Sequence, residues 1–87
     1  MNFENALTLL KEGKKIAREG WNGKGMFLYM VPVGEYLPRT EIAQSITNEE
    51  GLVPYGAYAA IKGADGIVYP WVPSQQDMFA TDWVACE

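Results

Sequence analysis

The dipeptide Asn22-Gly23 constrains this chain more than any other feature, because both residues tolerate the positive φ that a two-residue hairpin turn demands. Stretches with strand character flank it, Lys14 to Trp21 leading in and Met26 to Val31 leading out. With a two-residue loop, Trp21 faces Lys24, Glu19 faces Met26, Arg18 faces Phe27, Ala17 faces Leu28 and Ile16 faces Tyr29. One face of the hairpin then carries Ile16, Phe27, Tyr29 and Val31, and the other Ala17, Trp21, Met26, Leu28 and Met30. A sheet that is apolar on both sides must be covered on both sides. At 87 residues the chain is expected to form one domain, 1–87, with a modest core and little left for a second layer. Part of that cover is therefore expected from another subunit.

Around this hairpin the pattern is mixed. Phe3, Ala6, Leu7 and Leu10 recur at helical spacing, Asn2 is placed to cap, and Gly13 stands where a helix would end, which predicts a first helix over Phe3 to Glu12. Pro32 to Pro38 reads as a connector, and Thr40 to Asn48 as a short second helix capped by Thr40. Ala57 to Lys62 and Ile67 to Trp71 read as two strands joined at Asp65-Gly66, with Pro70 placing the second at a sheet edge. Ser74 and Asp77 have capping-box spacing ahead of a short helix, and Trp83-Val84 closes the chain as a last strand. The fold class expected is α+β: an N-terminal helix, antiparallel hairpins and a short C-terminal helix.

Composition narrows the chemistry. The chain has no histidine, the commonest general acid/base and metal ligand, so Ser-His, Cys-His and zinc-type sites are excluded together. Its one cysteine, Cys86, cannot form an intrachain disulfide and fits a reducing compartment. Met1-Asn2-Phe3-Glu4 leads straight into a helical pattern without signal-peptide architecture, and no run of about 18 apolar residues exists to cross a membrane, so a cytoplasmic location is expected. A net charge of −4 speaks against DNA or RNA as partner. Charge is uneven, however. Residues 1–25 hold Lys11, Lys14, Lys15, Arg18 and Lys24 against Glu4, Glu12 and Glu19, while the remainder holds two basic and eight acidic residues.

Two segments stand out as candidate ligand sites. Gly20-Trp21-Asn22-Gly23-Lys24-Gly25 gathers an indole, an amide and a lysine around glycines that let a ligand approach the backbone; equally, Trp21 packs in the core and the glycines serve the turn. Tyr69-Pro70-Trp71-Val72-Pro73-Ser74-Gln75-Gln76-Asp77 leads an aromatic into a helix N-terminus, which suits an anion beside a stacking surface, or is an ordinary capped helix with Trp71 in the core. Asp77 and Asp82 lack the partners of a catalytic pair, and capping and surface solvation account for them. Arg18, expected beside Phe27, could stack there or reach a phosphate. No catalytic set, metal site or cofactor is expected.

The run Gly13-Lys14-Lys15-Ile16-Ala17-Arg18-Glu19-Gly20-Trp21-Asn22-Gly23-Lys24-Gly25-Met26, with the later Ala64-Asp65-Gly66, Pro70-Trp71, Pro73-Ser74-Gln75, Asp77-Met78 and Asp82-Trp83, closely resembles small phage and prophage proteins of the second Thoeris anti-defence type. The resemblance covers residues 1–31 and 57–84; residues 32–56 match no pattern. It implies a sponge: a homo-oligomer, tetrameric in characterised members, that captures nucleotide immune signals such as cyclic ADP-ribose isomers, and in some members cyclic dinucleotides, without degrading them. It also implies residence in the cytoplasm of the bacterial host. Carried onto this sequence, the resemblance and the chemistry together make Trp21, Phe27 and Trp71 candidates for stacking and Asn22 and Gln75 for polar recognition. Arg18 is the candidate for phosphate, and Ser74 with Asp77 for shaping the helix terminus. The competing expectation is a small oligomeric protein–protein interaction module whose exposed aromatics contact a host or phage protein.

Overall fold

The computed structural model describes residues 1–21 and 24–86. Its first element is α1, Phe3–Lys11, started where Asn2 Oδ1 accepts the Asn5 N–H at 2.9 Å and followed by Gly13 at φ +88°. Both signals behave as the sequence predicts, because a side-chain acceptor satisfies a free N–H at one end and glycine supplies a left-handed residue at the other. The remaining elements are β1 (Ile16–Arg18), β2 (Phe27–Val31), β3 (Gly34–Tyr36), α2 (Glu41–Gln44), β4 (Val53–Tyr55), β5 (Tyr58–Lys62), β6 (Val68–Pro70), α3 (Gln75–Phe79) and β7 (Trp83–Ala85). Helices with antiparallel sheets make an α+β fold.

Five strands form one antiparallel sheet in the order β6-β5-β2-β1-β7. Pro70 lies on edge strand β6, as its missing N–H requires. The β5–β6 turn closes with Gly63 donating to the Ile67 carbonyl at 2.9 Å and Gly66 at φ +83°. Helix α1 packs across β1, β2, β7 and α3 and buries Ala6 and Leu10 against Ile16, Leu28 and Trp83. Ile16, Leu28 and Trp83 are 0% exposed, so the main core cluster lies on this inner face of the sheet.

The hairpin register differs from the expected one. Ile16 pairs with Leu28, not with Tyr29. A one-residue slip moves every side chain of a strand to the other face. Ile16 and Arg18 therefore lie on the inner face with Leu28 and Met30, and Ala17 shares the outer face with Phe27, Tyr29 and Val31. Strand β1 is also shorter than Lys14 to Trp21, since after Arg18 the chain turns with the Trp21 N–H donating to the Arg18 carbonyl at 3.2 Å. The Asn22-Gly23 turn itself falls outside the described residues.

The segment expected to be connector and helix is an arm. Beyond Pro32 the β2–β5 ribbon resumes as β3 and β4, paired Gly34↔Tyr55, Glu35↔Pro54 and Tyr36↔Val53, where no strand was expected. Three-residue strands, one opening on a glycine and the other centred on a proline, carry little periodicity, and these two hold together through Val53 and the Tyr36–Tyr55 edge contact at 5.6 Å. Thr40 does cap α2, accepting from the Ala43 N–H at 3.0 Å, but the helix is a single turn. Asn48 braces the tip: its side chain donates to Glu35 and accepts from the Glu50 and Leu52 N–H groups.

Candidate ligand-binding site

Trp83 organises the site end of the molecule. Its indole N–H donates to the Asp77 carbonyl at 2.9 Å, which satisfies the one polar atom of a fully buried ring. Around it stand Trp21, edge-on at 5.6 Å, Trp71, edge-on at 6.2 Å, and Phe3, tilted at 5.4 Å. Trp21 and Trp71, far apart in sequence, thus become neighbours across one ring, each partly buried. Each packs part of its ring against the core and stays partly exposed.

Beside the tryptophans lies a three-membered ionic cluster. Arg18 Nε donates to Asp82 Oδ1 at 2.8 Å and Nη1 to Asp77 Oδ1 at 3.0 Å, with side chains 21%, 30% and 14% exposed for Arg18, Asp82 and Asp77. Asp77 completes the predicted capping box: it accepts from the Ser74 N–H at 2.9 Å while its own N–H donates to Ser74 Oγ at 3.1 Å. Asp82 also accepts from the Gly20 N–H at 2.8 Å, and a Cβ at position 20 would sit 2.8 Å from that carboxylate oxygen. Glycine here permits a close approach, but by Asp82. Surface solvation, the expected account of Asp82, is corrected: its carboxylate ties β7 to β1 and the turn after it.

These contacts set the charges. Asp82 is held below the usual carboxylate range chiefly by its hydrogen bond from Arg18 and then by that from the Gly20 N–H. For Asp77 partial burial pushes upward, yet hydrogen bonds involving Ser74 and Arg18 outweigh it and the net shift is also down. The Arg18 guanidinium is raised by Asp82 first and Asp77 second. All three groups are therefore charged at neutral pH.

The fold brings together Arg18, Trp21, Trp71, Ser74, Gln75 and Asp77, with Gln75 and Ser74 exposed at the start of α3. The helix terminus that would receive an anion carries the Asp77 carboxylate. Asn22 lies outside the described residues. Phe27 is not part of this group: the register places it on the outer face, with Lys15 Nζ 4.8 Å and Lys62 Nζ 5.7 Å from its ring centroid. The expected Arg18–Phe27 neighbourhood is corrected accordingly, since the two project from opposite faces. Sequence reasoning missed Lys15 and Lys62 as companions of Phe27 because they depend on the β1–β2 register, Ile16↔Leu28, and the β2–β5 register, Phe27↔Lys62.

The concavities among the described residues include two on the surface. One, of about 380 Å³, is the Phe27 hollow lined by Lys15, Tyr29, Lys62 and Val68. The other, of about 620 Å³, lies at the root of the arm among Val31, Tyr36, Arg39, Leu52, Tyr55 and Tyr58. Among the described residues no cluster of three or more His, Cys, Asp or Glu is placed to hold a metal, and no helix is long and apolar enough to cross a membrane.

The sequence matches the Thoeris anti-defense 2-like domain over residues 1–86. The chain belongs to the Thoeris anti-defense 2-like family. A curated relative, Thoeris anti-defense 2 of Bacillus phage SP01, is 37% identical over 94 residues, covering 95% of this chain and 91% of the relative. The match runs through the arm as well as the ends, so residues 32–56 are part of the Thoeris anti-defense 2-like domain. Membership supports a phage anti-defence role.

Proposed function

We propose that this protein is a sponge that binds a cyclic nucleotide immune signal in the cytoplasm of the infected bacterium and holds it without degrading it. The signal is a cyclic ADP-ribose isomer, with cyclic dinucleotides as the second ligand class. The binding form is a homo-oligomer, a tetramer on the family resemblance, with ligand at subunit interfaces. A base stacks on the accessible faces of Trp21 or Trp71, and Ser74 and Gln75 offer polar contacts at the rim. Arg18 positions Asp77 and Asp82 and through them the wall of the site, with phosphate contact left to its remaining N–H groups.

The observation that carries the non-degrading part is the state of the acids next to the tryptophans. General acid/base catalysis works best with a group whose pKa lies near the working pH. Asp77 and Asp82 are both shifted the other way, downward, and locked to Arg18. They shape a surface and are poor proton shuttles.

The test is recovery. Purified protein is mixed with a cyclic ADP-ribose isomer, freed of unbound ligand by gel filtration, denatured by heat and analysed by chromatography. Intact nucleotide in the supernatant is expected. Cleaved nucleotide overturns sequestration, and failure to retain either a cyclic ADP-ribose isomer or a cyclic dinucleotide overturns binding.

A further inference from the structure

The arm, residues 32–57, is out of proportion to what it buries. A compact chain of 87 residues has a radius of gyration of about 12 Å. Here it is 15.3 Å, with extents of 45 × 26 × 25 Å. Val33 is 72% exposed, Leu37 74%, Ile42 80% and Ile46 61%. Helix α2 buries no residue, and a single turn of helix has too few hydrogen bonds to hold its shape alone in water. A two-stranded ribbon such as β3–β4 is likewise marginal by itself. Apart from the buried Val53, the arm is a formed structure whose Val33, Leu37, Ile42 and Ile46 stay largely exposed among the described residues.

A surface of matching character exists on the other side of the sheet. The outer face shows Phe27, Tyr29 and Val68 around a hollow of about 380 Å³, with Lys15 and Lys62 on its rim. Among the described residues neither lysine has a carboxylate within salt-bridge distance, and Lys62 instead donates to the Gly25 carbonyl at 3.2 Å. The arm carries Glu35, Glu41, Glu49 and Glu50 against Arg39 alone. An acidic, apolar projection and a basic, apolar hollow on the same polypeptide are complementary in charge and in apolar character.

We infer that the arm of one copy docks across the outer sheet face of a second copy. Ile42 in α2 and Ile46 just beyond its end enter the hollow against Phe27, Tyr29 and Val68, and the glutamates around them meet Lys15 and Lys62. Because each copy has both surfaces, two copies exchange arms reciprocally and the contact closes as a two-fold pair. The inference rests on the oligomeric reading above and adds the surface, the register of charges and the residues.

The test uses the full chain and native mass spectrometry, which reports subunit count and retained nucleotide in one spectrum. The double variant Ile42→Asp with Ile46→Asp is expected to weaken self-association by about 30-fold or more, the loss seen when a buried interface anchor is removed. Lys15→Glu with Lys62→Glu in one protein, and Glu41→Lys with Glu49→Lys and Glu50→Lys in another, are each expected to fall apart alone. When mixed, they are expected to pair one to one, since each arm then finds a face of opposite sign. Circular dichroism melts confirm that the variants are folded, and the lysine pair keeps the test decisive if an arm variant is not. A monomeric wild type, variants that assemble normally, or charge-reversed variants that fail to pair would each overturn the inference. Nucleotide retained by a protein whose assembly ignores these substitutions sinks the docking and leaves the sponge; assembly that follows them without any retained nucleotide does the reverse.

Discussion

The tryptophan end and the arm are made from similar apolar side chains and reach opposite states. Trp83 is fully buried with its N–H satisfied, whereas Ile42 in the arm is 80% exposed. The tryptophan end is closed by contacts between residues far apart in sequence, Arg18 to Asp82 and Arg18 to Asp77, while β3 and β4 in the arm are joined to each other. One end is completed by its own chain. The other has the local devices of structure, a helix cap and an asparagine brace, without a layer to pack on. Substitutions at the two ends should therefore be read by different measurements, stability for the first and assembly for the second.

The largest effect is expected at the centre of the tryptophan end. Trp83→Ala removes the ring on which Phe3, Trp21 and Trp71 converge and should cost about 3–5 kcal/mol. That is a large part of the whole stability of a small domain. Urea unfolding followed by fluorescence measures it. A loss below about 1 kcal/mol would mean that this end is no better packed than the arm, and the contrast would fail.

Next comes Arg18→Gln, which unties the ionic cluster and lowers the melting temperature at neutral pH. The sign of its pH dependence follows from the carboxylates. Asp77 and Asp82 are depressed in the folded state, so their contribution is present above their unfolded values of about 3.9 and is lost as pH falls through the folded ones. Arg18 stays protonated across that range, so the wild-type acid limb belongs to the two acids. In Arg18→Gln the folded carboxylates move back toward their unfolded values, and melting temperature should fall less steeply below about pH 5 than in wild type. Parallel acid limbs would show that the cluster does not stabilise this end.

A smaller step is Ser74→Ala. It breaks the capping box of α3 and should cost about 1 kcal/mol, or about 4–8 °C in melting temperature for a domain of this size. Thr40→Ala removes the equivalent cap of α2 and should barely move the melt, because that turn of helix buries none of its residues. Equal losses at the two caps would mean that the arm is coupled to the core after all.

What the sequence made legible follows the same division. Asn2, Gly13, Thr40, Asp65-Gly66, Pro70 and the Ser74–Asp77 box act within a few residues of themselves, and each does in the fold what its chemistry requires. The β1–β2 register depends on which long-range partner wins, and β1 is fixed by β7, through Ile16↔Ala85 and Arg18↔Trp83, at least as much as by the hairpin turn. A reading based on turn length alone therefore slipped by one residue and put Phe27 beside Arg18. Naming Trp21, Trp71, Ser74 and Gln75 as candidates was possible from segment chemistry and the family resemblance, but not that Trp21 and Trp71 meet across Trp83. Asp82 was not recoverable, since a lone acid before a tryptophan has no local pattern that announces an arginine 64 positions away. The arm stayed unread because β3 and β4 are too short for periodicity to register.

Ile42→Ala should have the smallest effect on folding and is the sharpest test of the contrast. The side chain is exposed in the single chain, so its truncation should change stability by no more than about 0.5 kcal/mol when the protein is diluted enough to be monomeric. If the arm is completed by a second copy, the same substitution should lower the melting temperature at high protein concentration, where folding and assembly are linked by mass action. The comparison is between two melts of one variant, run at concentrations about 100-fold apart, against the same pair for wild type. A difference that grows with concentration places Ile42 in a contact between chains. A difference that does not change with concentration puts it back into the fold of the single chain, and the arm would then be a peripheral ribbon that needs no partner.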